Sequence, residues 1–277
     1  MVDLHKELEV CLDAIRAAGV EVLRLYQSFQ KIEDAPADIS TDADRASQEI
    51  ILKRLHATFP ADRLCGEEST PTLSQASGSV SPRLWIVDPI DGTRGFAKKN
   101  GEFSIMIGLV ENGHVILGAV YEPGIDRLTY AVKGQGCHVV NKDGAPKQTQ
   151  VTATDSLAAS IMSISRSQKD EGRQKLLDAF GTKDTVQTYS AGIKLAQVAR
   201  GETDLYLGDY LTLKDWDVCA GHILVEEAGG TVTNVDGLPI TYEGTGKSLK
   251  GRGILSTNGK VHQACLAVLK EGRYQFD

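Results

Sequence analysis

Hydrophobic periodicity divides this 277-residue chain into two unlike halves that meet near residue 150. Before that point, two amphipathic helix patterns, at 4–29 and 41–58, precede a meander of strand-like runs, in which Asn112-Gly113 indicates a β-hairpin. After it, short strand patterns alternate with helical ones. This order predicts an α/β (α+β) layered sandwich, in which helix layers alternate with mixed sheets. We expect an N-terminal α+β lobe over 1–150 and a C-terminal α/β lobe over 151–277.

One stretch in the first half carries almost no large apolar side chains. Residues 69–82 read STPTLSQASGSVSP, a composition that is typical of loops. Because a structureless connection of this length is uncommon inside a compact domain, we expect the segment to be a mobile flap.

The overall charge and the cysteine pattern limit the partners and the compartment. The net charge is −7 and the isoelectric point is near 5.4, which argues against a nucleic-acid polymer or an anionic membrane as the partner. The apolar runs are strand-sized, and the first residues lack the pattern of a secretory signal. The five cysteines are widely spaced and never form C-x-x-C, which is typical of reduced thiols. We therefore expect a cytoplasmic protein that acts on a small molecule.

The segment Trp85–Thr93 contains the densest group of polar side chains. An apolar strand pattern leads directly into Asp88, and Asp91 follows three residues later. We expect Pro89 to end the strand, so that the chain turns and both carboxylates converge at the strand end. Gly92 would let the backbone approach a ligand closely. From this spacing alone, an acidic surface turn and a ligand site are equally good interpretations.

Two other acidic segments strengthen the ligand-site interpretation. Glu67 and Glu68 lie at the border of the suspected flap, and Asp215 and Asp217 stand at the start of an apolar helix pattern. Aspartates at a helix start also act as caps, so from spacing alone each segment is better explained as structural. Together, however, the three segments supply enough carboxylate oxygens for a divalent cation, and Mg²⁺ is the usual choice beside phosphate.

Taken in order, these motifs resemble those of the inositol monophosphatase superfamily. The matching segments are 66–69, 85–93, 216–217 and 226–230. The resemblance extends over about residues 4–269. It implies the layered sandwich shared by inositol monophosphatases and fructose-1,6-bisphosphatases.

Within that superfamily, the chain is most similar to the 3′(2′),5′-bisphosphate nucleotidases. The similarity lies in the segments 99–104, 163–167 and 191–194. It implies a Mg²⁺-dependent phosphomonoesterase that hydrolyses 3′-phosphoadenosine 5′-phosphate to AMP and phosphate, a reaction of sulfur metabolism that Li⁺ inhibits. The expected partner is this small phosphorylated substrate, and we expect the protein to be a monomer or a homodimer.

The resemblance also implies which residues bind metal and activate water. Those expected to bind Mg²⁺, with two or three ions per site, are Glu67, Asp88, Asp91, Asp217 and the carbonyl of Ile90. Asp44 and Thr93 are expected to activate the water that attacks phosphorus. Asp42 is a competing candidate, but Asp44 lies 23 residues before Glu67, which fits the family spacing better.

A further set of residues is implied to contact the substrate. These are Gly92, Thr93, Arg166, Gly192, Lys194 and Asp217. The amides of Gly92 and Thr93 would hold the transferred phosphate. Arg166 and Lys194 would hold the second phosphate, because cationic side chains must meet that charge.

Two positions depart from the family pattern. Gly208 stands where inositol-specific relatives have a glutamate and some nucleotidases an arginine, and Ala191 replaces a serine seen in several nucleotidases. Gly208 argues against simple inositol specificity, and both positions remove a possible nucleotide contact. Hydrolysis of inositol 1-phosphate, of other sugar phosphates or of histidinol phosphate stays open, as does a non-catalytic metal- or anion-binding regulator.

Overall fold

The computed structural model describes residues 4–36, 39–76, 78–208, 213–245, 249 and 253–274. Their helices are α1 (His5–Ser28), α2 (Asp42–Thr58), α3 (Pro71–Gln75), α4 (Thr93–Ala97), α5 (Asp170–Phe180), α6 (Ala191–Ala199), α7 (Asp215–Glu227) and α8 (His262–Lys270). The described residues include no helix that is long and apolar enough to cross a lipid bilayer.

The first half of the chain builds a seven-stranded sheet whose strands are neighbours in chain order. They are β1 (Arg63–Gly66), β2 (Arg83–Asp91), β3 (Ser104–Glu111), β4 (His114–Glu122), β5 (Arg127–Val132), β6 (Cys137–Asn141) and β7 (Lys147–Thr149). Strand β1 is parallel to β2, and the remaining neighbours are antiparallel. Asn112 and Gly113 join β3 to β4 with φ of 53° and 82°, the left-handed backbone that a tight hairpin turn requires, so the predicted hairpin is confirmed.

The second half builds a smaller, five-stranded sheet in the order β11-β12-β10-β8-β9. Its strands are β8 (Ile161–Ser165), β9 (Asp184–Thr188), β10 (Leu205–Gly208), β11 (Thr231–Asn234) and β12 (Ile254–Thr257). Strand β8 is parallel to β9 and β10, whereas β12 is antiparallel to both of its neighbours. Both sheets are therefore mixed, as predicted.

The helices form three layers around these sheets. Helices α1 and α2 cover one face of the larger sheet, and α6 and α7 fill the space between the two sheets. Helices α5 and α8 cover the outer face of the smaller sheet. Each layer buries its own apolar cluster, which confirms the prediction of a layered α/β sandwich. The division into lobes at residue 150 stays a prediction.

Helix α7 lies unusually close to the larger sheet, which fixes the position of its first turn. A Cβ on Gly108 in β3 would lie 2.5 Å from Cys219 Sγ, and one on Gly118 in β4 would lie 2.4 Å from the carbonyl oxygen of Ala220. No side chain fits at either glycine, so the helix rests directly on the sheet backbone. This contact brings the start of α7 beside the end of β2.

The prediction of a loop over 69–82 is wrong for part of that segment. Residues Pro71–Gln75 form a short helix that begins with proline, a residue suited to the first helical position. The backbone N–H and the hydroxyl of Thr72 both donate to Glu49 on α2. These contacts with a distant segment of the chain, which the polar composition does not reveal, hold the helix against α2. Ser77 lies outside the described residues, and the mobility of the segment stays a prediction.

Candidate active site

Strand β2 continues through its proline, contrary to prediction. Asp88 pairs with Met106 and Asp91 pairs with Ser104, so β2 carries one residue more than β3 between those pairs. Such a bulge leaves a residue without a ladder partner, and Pro89, which has no N–H to donate, is tolerated there. The strand does not end at Pro89; instead, the irregularity turns both aspartates toward the same end of the sheet.

Carboxylates from separate elements meet at that end. Oxygens of Asp88, Asp91 and Asp217 all lie within 4.8 Å of one another. Asp217 comes from the first turn of α7, and Glu67, which directly follows β1, lines the same cavity. Asp88 is 2% exposed and Asp91 is 8% exposed. We call these four residues the acidic cluster.

The acidic cluster is electrostatically unfavourable without a cation. Burial, followed by the charge of Asp217, raises the pKa of Glu67 to about 8. Burial raises the pKa of Asp217 to about 7. Burial and the charge of Glu67 raise the pKa of Asp88 well above its ordinary value. Buried carboxylates repel one another and favour the protonated form, and a bound divalent cation reverses that preference.

The donor set of the cluster fits a hard cation. Among the described residues, Asp88 Oδ1 is buried without a hydrogen-bond partner, although a buried polar atom normally has one. Asp91 Oδ2 accepts from the hydroxyl of Ser190 and, at 2.6 Å, from the amide of Gly192, which fixes its orientation. Unsatisfied carboxylate oxygens are the ligands that Mg²⁺ prefers. The cluster is therefore able to hold a metal ion.

Asp44, and not Asp42, meets the motif threonine. Asp44 is 1% exposed, and its Oδ2 accepts from the backbone N–H and the hydroxyl of Thr41, which caps α2. Its Oδ1 lies 3.2 Å from Thr93 Oγ1, while the same hydroxyl lies 2.8 Å from the carbonyl oxygen of Ile90. Asp42 is exposed and pairs with Arg45. Burial raises the pKa of Asp44 to about 6.

The acidic cluster opens into a cavity of about 420 Å³ that also contains positive charge. Lys194 lines it, although only 1% of this residue is exposed. Its Nζ donates to the carbonyl oxygens of Thr188 and Tyr189, both at 3.3 Å. The charge of Lys194 acts to lower the pKa of Asp217, which opposes the effect of burial. The ammonium thus faces the cluster from the α6 side.

Two of the predicted substrate contacts are engaged elsewhere. Arg166 pairs with both carboxylate oxygens of Glu102, with Nε at 2.6 Å, and also donates to the carbonyl oxygen of Gln187. It is not among the residues that line the cavity. The amide of Gly192 is directed at Asp91 rather than at the cavity. Gly92 and Thr93, in contrast, do line it, as do all the predicted metal ligands.

Sequence reasoning missed three residues at this site. Arg94 and Tyr189 line the cavity, and Ser190 orients Asp91. The signal that could have indicated them is their position beside a motif. Arg94 directly follows the motif threonine, and Tyr189 and Ser190 directly precede the segment 191–194. A single residue beside a motif has no periodicity, so only the structure shows which way it points.

Comparisons with known proteins agree with this geometry. The model of the inositol monophosphatase family matches residues 3–273. The inositol-1-monophosphatase of Bacillus subtilis is 30% identical over 92% of this chain and 93% of its own. The 3′(2′),5′-bisphosphate nucleotidase CysQ of Salmonella typhimurium is 32% identical over 85% of this chain and 93% of its own. The solved inositol monophosphatase from Anabaena is 28% identical, with a TM-score of 0.78 over 98% of this chain and 97% of its own. The chain belongs to the inositol monophosphatase family.

Proposed function

We propose that this protein is a Mg²⁺-dependent phosphomonoesterase that hydrolyses 3′-phosphoadenosine 5′-phosphate to AMP and phosphate. The broader class, a phosphatase of the inositol monophosphatase superfamily, follows from family membership. One observation carries the proposal. The carboxylates of Asp88 and Asp91, which are buried, and of Asp217, which is half-buried, share a cavity with Thr93, whose hydroxyl contacts Asp44.

The acidic cluster would hold the metal, together with the carbonyl of Ile90. Bound Mg²⁺ would supply positive charge to the phosphate oxygens and lower the pKa of water. The chain already fixes the ligands in place: Ser190 and Gly192 orient Asp91, and the backbone N–H of Lys214 donates to Asp217 at 2.6 Å. Oriented ligands reduce the free energy that ordering them would otherwise cost.

Asp44 and Thr93 would move the proton. Thr93 Oγ1 can donate its hydrogen to Asp44 Oδ1 while it accepts one from the attacking water. Thr41 holds the other oxygen of Asp44, so Oδ1 is the atom that faces Thr93. A general base works best when its pKa lies near the operating pH, and burial raises the pKa of Asp44 to about 6.

Three features favour the bisphosphate nucleotide over inositol 1-phosphate. Lys194 places a buried cation in the cavity, beyond what a metal site needs. The 32% identical Salmonella relative is named as a bisphosphate nucleotidase. Gly208 offers no carboxylate for ring hydroxyls. Inositol 1-phosphate is the alternative substrate, supported by the name of the Bacillus subtilis relative.

The test is phosphate release from 3′-phosphoadenosine 5′-phosphate, inositol 1-phosphate and histidinol phosphate, each with Mg²⁺ and with a chelator. We expect the highest kcat/KM on the nucleotide and no turnover after chelation. Li⁺ should inhibit. A preference for inositol 1-phosphate would overturn the substrate assignment, and turnover without any divalent ion would overturn the metal assignment. No release from any substrate would favour a non-catalytic regulator.

A further inference from the structure

Arg94 is a second cation of the cavity, and it is held in place by the protein. It lies in α4, directly after Thr93, and is half-buried. Its Nε donates to the carbonyl oxygen of Ala35 at 3.1 Å, and one terminal nitrogen donates to Ser167 Oγ at 2.8 Å. A guanidinium has more N–H groups than these two contacts use. The side chain is therefore oriented and still has donors for an anion.

Arg94 differs from Arg166 in the partners that surround its charge. Within the described part of the chain, no carboxylate forms an ion pair with it, whereas Arg166 is paired with Glu102. Both of its contacts are to uncharged oxygens. A cation that lines a cavity without a carboxylate partner will attract an anionic group of the ligand. Of Arg94 and Arg166, Arg94 is thus the one available to a substrate.

Tyr189 adds a flat apolar surface beside that charge. Its ring centroid lies 5.8 Å from the Arg94 Cζ, and both residues line the cavity. The carbonyl oxygen of Tyr189 accepts from Lys194, which fixes the backbone of this residue next to α6. An aromatic ring beside an oriented guanidinium suits a ligand that combines a planar ring with a negative charge.

We propose that Arg94 and Tyr189 form the subsite for the part of the substrate that is not transferred. Arg94 pairs with the second phosphate, and Tyr189 stacks against the planar base. This inference rests on the proposed function. It replaces Arg166 as the arginine that selects for a bisphosphate, and Lys194 adds a second positive charge to the same cavity.

The test compares two substrates that differ only in the second phosphate. Both 3′-phosphoadenosine 5′-phosphate and adenosine 3′-phosphate present the same 3′-phosphate to the same metals and water. Arg94→Ala should lower kcat/KM on the bisphosphate by about 10- to 100-fold, the size expected when a charged hydrogen-bond donor is lost. It should leave adenosine 3′-phosphate almost unchanged. Arg94→Lys, which keeps the charge, should lose less.

Arg166→Ala is the matched control. It removes a guanidinium that is paired with Glu102 and lies outside the cavity lining. We expect it to change both adenosine substrates equally, or not at all. A selective loss on the bisphosphate in Arg166→Ala, with none in Arg94→Ala, would overturn the inference.

Tyr189→Leu tests the planar subsite separately. Loss of base stacking should raise KM for both adenosine substrates by about tenfold, while inositol 1-phosphate, which has no planar ring, should be unaffected. Equal losses on all three substrates would mean that the residue is structural.

Failure of this inference is distinct from failure of the proposed function. If the wild-type protein prefers inositol 1-phosphate, the proposed function is wrong, and the proposed subsite is wrong with it. If the wild type prefers the bisphosphate but Arg94→Ala lowers both adenosine substrates equally, only the subsite is wrong.

Discussion

Two regions of this molecule group acids around buried carboxylates, Glu122 in one and Asp88 and Asp91 in the other, and they differ in how the chain compensates that charge. At the end of β4, Glu122 is 3% exposed and accepts from Arg127 at 2.8 Å and from Arg200 at 3.0 Å. Glu202 joins the same group through both arginines. Although burial acts to raise the pKa of Glu202, its hydrogen bond with Arg200 lowers that pKa below the ordinary value. This paired cluster is charged and satisfied by the chain alone.

The acidic cluster has the opposite character. Its residues have no arginine partner within the described chain, and burial raises the pKa of Glu67, Asp88 and Asp217. Asp88 Oδ1 has no hydrogen-bond partner in the part of the chain that the structure describes. The described chain surrounds Glu122 with guanidinium groups but places none beside these carboxylates, and the charge of Lys194 opposes the effect of burial on Asp217 without outweighing it. The difference indicates that the counter-charge at the acidic cluster comes from a ligand, so burial of acids becomes a functional signal only where pairing is missing.

The largest expected effect is on catalysis by Asp88→Asn. The amide keeps the shape of the side chain but is a poor ligand for Mg²⁺, so kcat/KM for phosphate release should fall by about 10³-fold or more. Because burial and the charge of Glu67 favour the protonated form of Asp88 when no metal is bound, replacing it by a neutral amide should not lower the free energy of unfolding of the metal-free protein. Urea denaturation of the same sample in chelator checks this.

The exposed Asp42→Asn is the control, since it removes an equal charge close to Asp44 without touching the cavity. It should retain nearly full activity. If the metal-free Asp88→Asn protein is strongly destabilised, the acidic cluster supports the fold as the paired cluster does. The proposed difference between the two clusters would then be wrong.

The next effect concerns the proton path. Thr93→Ala and Asp44→Asn should each lower kcat by about 10²–10⁴-fold, with little change in substrate affinity. Since both groups act on one water, the double variant should be scarcely worse than the more damaging single one. Single-turnover rates and separate binding measurements check this. If the losses in kcat of the two single variants simply multiply in the double variant, Asp44 and Thr93 have separate roles in the reaction.

Much of the fold could be predicted because its signals are local. Helix α1 and the Asn112-Gly113 hairpin follow from periodicity and turn chemistry, and the order of patterns predicted the layers. The continuation of β2 through Pro89 could not be predicted, because a bulge depends on the register of the neighbouring strand. Helix α3 could not be predicted for a similar reason, because it is held by hydrogen bonds to Glu49, a residue on another helix.

The predictions for the candidate site divide in the same way into those that the sequence supports and those that depend on long-range contacts. The resemblance placed the acidic cluster, and the structure brings its members together. It also favoured Arg166, whose partner Glu102 lies 64 residues away in the sequence. Whether an arginine is paired or available depends on long-range contacts, so the sequence alone could not separate Arg166 from Arg94. Pairing, not residue type, distinguishes the two arginines, just as it distinguishes the two groups of acids.

A third prediction concerns the paired cluster. Glu122→Gln should lower the free energy of unfolding by about 3–5 kcal/mol, because it leaves the buried guanidinium of Arg200 without its charge partner. Activity of the folded fraction should be unchanged. Glu202→Gln, at a more exposed carboxylate, should cost about 1 kcal/mol or less. If Glu122→Gln is neutral for stability, the paired cluster is not what holds this region together.

The smallest expected effect is a pH dependence that only the acidic cluster produces. Without metal, the native state keeps protons on Asp217 and Glu67 up to pKa values of about 7 and 8, whereas the unfolded chain releases them near pH 4. The native state then binds more protons, so the free energy of unfolding should fall as pH rises; Asp217 alone contributes about 1 kcal/mol between pH 6 and pH 8, and Glu67, whose side chain is exposed, adds to the decline. With saturating Mg²⁺ the carboxylates are ionised in the native state, and metal binding itself strengthens as they deprotonate, so that decline should vanish or reverse. Urea denaturation at several pH values, with Mg²⁺ and with chelator, measures the difference between the two curves, in which titrations elsewhere in the chain cancel.

Glu202, whose pKa is lowered, is ionised in both states over this range and contributes no slope. Parallel curves with and without Mg²⁺ would mean that the acidic cluster is already ionised without metal, and its difference from the paired cluster would then be one of geometry rather than of charge.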